Sequence, residues 1–318
     1  MPAPTATRGK AAHRLAPPPA RGPAPPRGAF GRSLRRNLTA HGFLIGAVIC
    51  FAVFSWYPMV REFLLAFQKT ESGDTVWVGL DNLRTVFNDP AFWQAWRNTL
   101  LFTVLALVFG FAVPFVTAVV INEFRQGQSY LRLLVYLPVM LPPVASVLLF
   151  KYLYDPGYGL LNELLGFLHL PEQQWLQDPD LSMLSVVIAA TWMNMGGATL
   201  IYLAALQGIP GELYEAAELD GAGLFRKIWH VTIPQTRLIL SLMLLMQVIA
   251  TMQVFVEPFL LTGGAGPEGS TTTVVYLIYQ YAFNFNNYGA AAALGLMLLV
   301  LLAGFSAAYV KLSRAEDE

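Results

Sequence analysis

Six stretches of this chain run without a charged residue, at 42–60, 99–121, 133–150, 181–211, 238–256 and a last one ending at Val310. At 1.5 Å per helical residue, each can cross a hydrocarbon core about 30 Å thick. Of the 318 residues 55% are hydrophobic and only 13% charged, more apolar surface than a soluble domain can bury. In hydrocarbon every backbone polar group must be bonded internally, so long apolar runs of this kind span as helices. The expected fold class is all-α integral membrane, with six transmembrane helices.

The final uncharged stretch, 269–310, has the length of two spans, but Gln280, Asn284, Asn286 and Asn287 make its first half poor lipid-facing material. We expect a re-entrant or interfacial segment at 269–287 and one span at 288–310. Residues 1–40 are basic and rich in Pro, Ala and Gly, and cannot bury enough apolar surface to offset their ordering entropy, so a disordered cytoplasmic tail is expected. The first apolar run has no small-residue cleavage site and reads as a retained anchor.

Orientation follows from the basic residues. An amino terminus in the cytoplasm places Arg125, Arg132, Arg226, Lys227, Arg237, Lys311 and Arg314 on the side of the tail. Only Arg61, Lys69, Arg84, Arg97 and Lys151 are then left outside. Both termini of a multi-pass plasma-membrane protein are therefore expected in the cytoplasm. The outer segments carry acids such as Asp74, Asp89, Asp155 and Glu172, a negative field that a partner could meet. Pro58, Pro114, Pro138, Pro142 and Pro143 fall within runs and should kink their helices.

No catalytic constellation is present. The single cysteine, Cys50, excludes an internal disulfide, no paired Cys or His ligands suggest a metal, and nothing in the chain resembles a phosphate-binding glycine loop. The expected catalytic and metal residues are none, with no cofactor bound by this chain and no nucleic-acid partner.

The charges between residues 182 and 256 all lie in one segment, Glu212 to Arg237, which must sit in water between two spans. Leu213, Ala216 and Ala217 share one face of a short helix, Gly221 can interrupt it, and Leu224, Ile228 and Val231 form a second apolar stripe that Pro234 is expected to end. Such a helix, glycine, helix unit makes a knob for another protein's groove, or an interfacial loop with no partner.

Glu215-Ala216-Ala217, three residues, Gly221, nine residues, Val231, one residue and Ile233-Pro234 resemble the EAA motif of ABC importer permeases. Asp220-Gly221-Ala222, Ile209-Pro210, Val78-Gly79-Leu80-Asp81-Asn82, Asn98-Thr99-Leu100, Leu261-Thr262-Gly263-Gly264 and Ser270-Thr271-Thr272 are similar to the carbohydrate uptake transporter-1 family, in its larger maltose and glycerol-phosphate permease type. The resemblance implies a type I ABC importer permease fold (MetI-like) whose cytoplasmic EAA loop is a coupling helix. Its coupling residues would be Glu215, Ala216, Ala217, Asp220, Gly221, Ala222 and Pro234, with Glu215 meeting a basic residue of the ATPase. The implied partners are a second permease subunit, an ABC ATPase dimer carrying ATP and Mg, an extracellular solute-binding protein, the sugar and membrane lipid. The divisions expected are the tail at 1–40, a first helix and outer connecting segment at 41–94, the permease domain at 95–312 and a cytoplasmic tail at 313–318.

Polar residues inside spans carry the remaining information. Asn194 sits mid-span beside Trp192 and Met195, and Gln247 and Thr251 are one turn apart on the next span, with Gln253 and Glu257 further along. An amide at membrane depth either bonds another helix or lines a wet cavity. The maltose-type resemblance places Ala190, Met193, Asn194, Gly197, Gln247, Thr251 and Val254 at sugar-contact positions. The expected pathway residues are Asn194, Gln247, Thr251, Trp192 and Gly197, with Trp192 or Tyr202 as a stacking surface. A neutral sugar is favoured over a polyol or glycerol phosphate, whose charge would call for a cation. A secondary carrier would call for ionisable groups within the runs, and a membrane scaffold would need only the loop.

Overall fold

The computed structural model describes residues 42, 44–71, 74–124 and 126–315, so the tail expected at 1–40 lies outside the described residues. The chain divides into two compact units, Met1–Met59 and Val60–Glu318. Among the described residues five helices have the length and apolarity of membrane spans: α1 (Leu44–Leu65), α3 (Pro90–Glu123), α7 (Pro179–Gln207), α9 (Leu224–Met252) and the long last helix, which is apolar over Tyr288–Ser313. The run 133–150, read as one span kinked by its prolines, is a pair of helices, α4 (Gln128–Met140) and α5 (Pro143–Leu153), bent by 98°. Pro142 and Pro143 explain the break: neither can donate a helical N–H, and the residue before each is pushed out of the α region. Taken as one bent span, the pair makes the sixth.

Between these lie a two-stranded antiparallel hairpin, β1 (Gln68–Glu71) and β2 (Asp74–Trp77), with Lys69 opposite Val76. The shorter helices are α2 (Asp81–Phe87), α6 (Leu160–Phe167), α8 (Gly211–Leu219), α10 (Val256–Thr262) and α11 (Val274–Tyr279), ahead of the last helix, α12 (Tyr288–Ala315). Asp89 and Asp178 cap α3 and α7 through their side chains, each ahead of a proline in the first turn.

Three of the intrahelical prolines follow one rule. Pro58, Pro114 and Pro234 each come just after a π-turn, at Ala52–Trp56, Leu107–Phe111 and Ile228–Thr232. The carbonyl that each ring would strike, four residues back, belongs to Phe54, Gly110 or His230, inside that turn. Widening the helix there moves the carbonyl aside and lets the helix run on. Pro234 therefore does not end its helix, as the sequence suggested, but sits within α9.

α7 is the axis of the second unit. Its first half contributes Met183, Val186, Val187, Ala189 and Met193 to a core shared with α3, α5 and α10. Its last turns contribute Tyr202, Leu203 and Leu206 to a second core, with Ala118 and Ile121 of α3. Against α4 the approach is tight at Gly196, where a Cβ would stand 2.6 Å from the Val135 carbonyl oxygen and 2.9 Å from Tyr136 Cα. Small residues let helix backbones meet in this way inside a membrane.

A third core joins α2, the start of α3, α11 and α12. It packs the first part of the segment 269–287, expected to be re-entrant or interfacial, where Thr271, Thr273 and Val274 are fully buried, while Phe283 and Phe285 near its end are exposed. Two asparagines staple this region. Asn98 donates to the carbonyls of Gly269 (2.8 Å) and Thr272 (3.1 Å), while Thr99 accepts from the Val274 N–H (2.9 Å). Asn82 donates to the carbonyls of Ala66 and Gln68, where α1 hands over to the hairpin. Asn98→Ala should leave two carbonyls under-satisfied and cost about 2 kcal/mol. A lower melting temperature in detergent is the expected reading; an unchanged one would mean that Thr99, with Gln94 donating to the Glu268 carbonyl (3.0 Å), holds the loop alone.

Candidate functional site

A cavity of about 490 Å³ opens among α3, α4, α5, α7, α9 and α10. Asn194, Gln247 and Thr251 all line it, together with Ala190, Met193 and Val254. Trp192, Gly197 and Tyr202 are not among its lining residues. Trp192 packs edge-on against Phe150, with ring centres 5.4 Å apart. Tyr202 is 2% exposed between Phe111 and Phe115, which leaves no face for a ligand.

Backbone carbonyls position Gln247 and Thr251. Gln247 donates to the carbonyl of Ala106 (3.4 Å), the residue just before the π-turn in α3, where the regular helical ladder is interrupted. Its amide lies where a Cβ on Gly110 would be, 2.7 Å from Gln247 Nε2, so glycine at 110 makes room for it. The Thr251 hydroxyl donates to the carbonyls of Gln247 and Val248 in its own helix, leaving only its lone pairs for a ligand. Ser146 lines the same cavity at 1% exposure, and its hydroxyl has no hydrogen-bond partner among the described residues.

Asn194 is exposed to the cavity and donates to the Ala190 carbonyl (2.9 Å) and to Glu257 Oε1 (3.2 Å). Glu257 is the charged member of the lining, which contains no Lys, Arg or His. It lies one residue past the charge-free run 238–256, and the sequence shows it only as a polar group further along the span that carries Gln247 and Thr251. The fold brings it back because the helix breaks after Met252 and restarts as α10 at Val256.

The loop from Gly211 to Thr232 presents the other feature. α8 ends in a Schellman motif: Ala222 N–H reaches the Ala217 carbonyl (2.9 Å), Gly221 N–H reaches Glu218 (3.0 Å), and Gly221 has φ +75°. The four-residue interval from Ala217 to Gly221 is thus the interval of a helix end to its left-handed glycine. Tyr214 and Ala217 face inward, the former bonded to Thr232 (3.1 Å), while Lys227 pairs with Glu218 at 2.8 Å. Of the three residues expected to share one apolar face, Ala217 is half-buried while Leu213 and Ala216 are exposed. The reason is that α9 binds the loop through Tyr214 and Glu218, which turns those two outward. Glu215, Asp220 and Pro234 are exposed, Ala222 is half-buried, and Leu219, Phe225 and Trp229 show 91%, 87% and 70% of their surface.

A polar cavity among membrane-length helices, with an exposed helical knob between two of them, defines a membrane permease. The family described as binding-protein-dependent transport system inner membrane component matches residues 110–316, and this chain belongs to it. It is 33% identical over 282 residues to the probable ABC transporter permease YurN of Bacillus subtilis, covering 87% of this chain and 96% of that one. It is 31% identical to the trehalose/maltose transport permease MalF of Thermococcus litoralis, over 82% of this chain and 89% of the relative. Among solved structures it superposes on a bacterial importer of the acidic polysaccharide alginate with a TM-score of 0.78 and 26% identity, covering 90% and 98% of the two chains.

Proposed function

We propose that this chain forms half of the pathway of an ABC importer for a neutral mono- or oligosaccharide, with ATP and Mg held by a separate ATPase dimer. The cavity lining carries the reading. Asn194, Gln247, Thr251 and Ser146 offer neutral donors and acceptors, the groups that sugar hydroxyls require, and no cation lines the cavity to hold a phosphate or uronate. A polyol would fit the same groups; a glycerol-phosphate-like solute would depend on a cation from the other half. Relatives named for arabinooligosaccharides and for trehalose or maltose support the sugar class.

The knob of α8, with Glu215 and the apolar Leu219 and Phe225 in solvent, is the surface offered to the ATPase. A second permease completes the pathway, and an extracellular binding protein delivers the sugar. The related alginate importer has been seen with its pentasaccharide-bound periplasmic protein. Both termini lie in the cytoplasm, the side that receives most of the basic residues.

The test is uptake by the assembled transporter carrying Asn194→Ala, Gln247→Ala and Thr251→Ala together. With each neutral bond worth about 1 kcal/mol, uptake should fall at least ten-fold and sugar preference should loosen, at normal membrane abundance. Unchanged rate and preference would make the three residues helix-packing groups.

A further inference from the structure

Building on the sugar reading, we propose that Glu257 sets the charge specificity of this half of the pathway, accepting hydrogen bonds from sugar hydroxyls and turning away solutes that carry a carboxylate or phosphate. Four observations carry it. Glu257 lines the cavity though it belongs to a separate short helix, because the preceding helix breaks after Met252 and a new one starts at Val256. Its side chain is held by Asn194 across the cavity wall, from α7, 63 residues away in sequence. No lysine, arginine or histidine is in the lining, and no ion pair to Glu257 exists among the described residues, so its charge faces whatever enters. The Ser146 hydroxyl, 1% exposed and unpartnered, supplies a further donor or acceptor on the wall made by α5.

The chemistry follows from these positions. A carboxylate accepts hydrogen bonds only, and one oxygen of Glu257 already receives the Asn194 amide, which leaves the other for a hydroxyl donor. Bonds of this kind are stronger than neutral ones, so a hydroxyl-rich solute gains from the charge. A solute carboxylate passing within a few ångströms meets repulsion that low-dielectric walls screen poorly. Asn194 is thus a positioning residue as well as a lining one: it keeps the carboxylate directed across the cavity.

The test compares uptake of a neutral sugar with that of its 6-carboxylate, using one binding protein throughout so that a change in the ratio reads the permease alone. Glu257→Gln keeps the shape and removes the charge; it should raise the acid-to-neutral ratio roughly ten-fold. Glu257→Asp should keep the wild-type discrimination. A Glu257→Cys chain in a Cys50→Ser background gives the same contrast by modification: a neutral thiol reagent should relax the selection and a negatively charged one restore it. An acid-to-neutral ratio in Glu257→Gln within two-fold of wild type would overturn the inference. Refusal of every neutral sugar by the wild-type transporter would instead overturn the proposed function.

Discussion

Glu215→Lys and Gly221→Asp are each expected to reduce uptake more than ten-fold while the chain still reaches the membrane in normal amount. Glu215 is exposed, so reversing its charge removes no internal contact. At Gly221 the space is open, with nothing within 4 Å of a built Cβ, and the cost of substitution comes from φ +75°. Aspartate tolerates the left-handed region better than most residues, and the penalty is about 1 kcal/mol, too little to unfold the loop. What changes in both variants is the charge presented to a docking partner, where like-charge contact or a lost buried pair costs about 2–5 kcal/mol. Gly221→Ala separates the two causes, since it carries the strain without the charge and should lose far less uptake. Both charged variants retaining the ATPase at wild-type yield, with normal uptake, would show that this loop is not where the ATPase docks.

Gly196→Val is expected to do the opposite, removing the chain from the membrane. The atoms that a Cβ would meet at 2.6 and 2.9 Å belong to the backbone of α4 and cannot rotate away. The two helices would have to separate, opening the core around Tyr202 and Leu203 that their crossing supports. Overpacking of this kind costs about 1–3 kcal/mol when side chains can yield, and more where backbone is struck. The neighbouring Gly197 has nothing within 4 Å, so Gly197→Ala should accumulate normally. Membrane abundance and melting in detergent distinguish the pair; equal behaviour of the two variants would show that the α4–α7 contact is looser than the structure has it.

These two glycines also show what can be read from sequence. Both sit in the same apolar run, and alignment with a related motif singles out Gly197, while the constraint on space falls on Gly196. Helical periodicity gives the face of a residue but not how near the next helix comes, and a 100° step decides between contact and open space. The spans themselves were legible, because charge is too costly in hydrocarbon to interrupt them. The bent pair was legible only as prolines, since the 98° angle depends on two consecutive rings and on where the second helix then packs. Asn194, Gln247 and Thr251 were found by polarity, and one cavity does bring them together. Glu257 was noticed with these polar groups but not placed in the cavity, because the three residues after Met252 leave the helical path and no periodic pattern carries across such a break. Asn82 and Asn98, noticed only as parts of recurring motifs, turn out to hold carbonyls in place at the ends of elements.

The two ties between α8 and the start of α9 have a mechanical consequence. Tyr214 holds Thr232 and Glu218 holds Lys227, whereas Gly208, Ile209 and Pro210 join α8 to α7 with no helical bond running through. A pull on the knob is therefore delivered to α9, which acts as a pushrod, while the α7 side gives like a strap. Gln247 stands fifteen residues beyond Thr232, about 22 Å along that rod. The π-turn at Ile228–Thr232 interrupts the regular helical ladder where the load enters, and from there a displacement at the knob reaches Gln247 as a translation or a twist of the shaft.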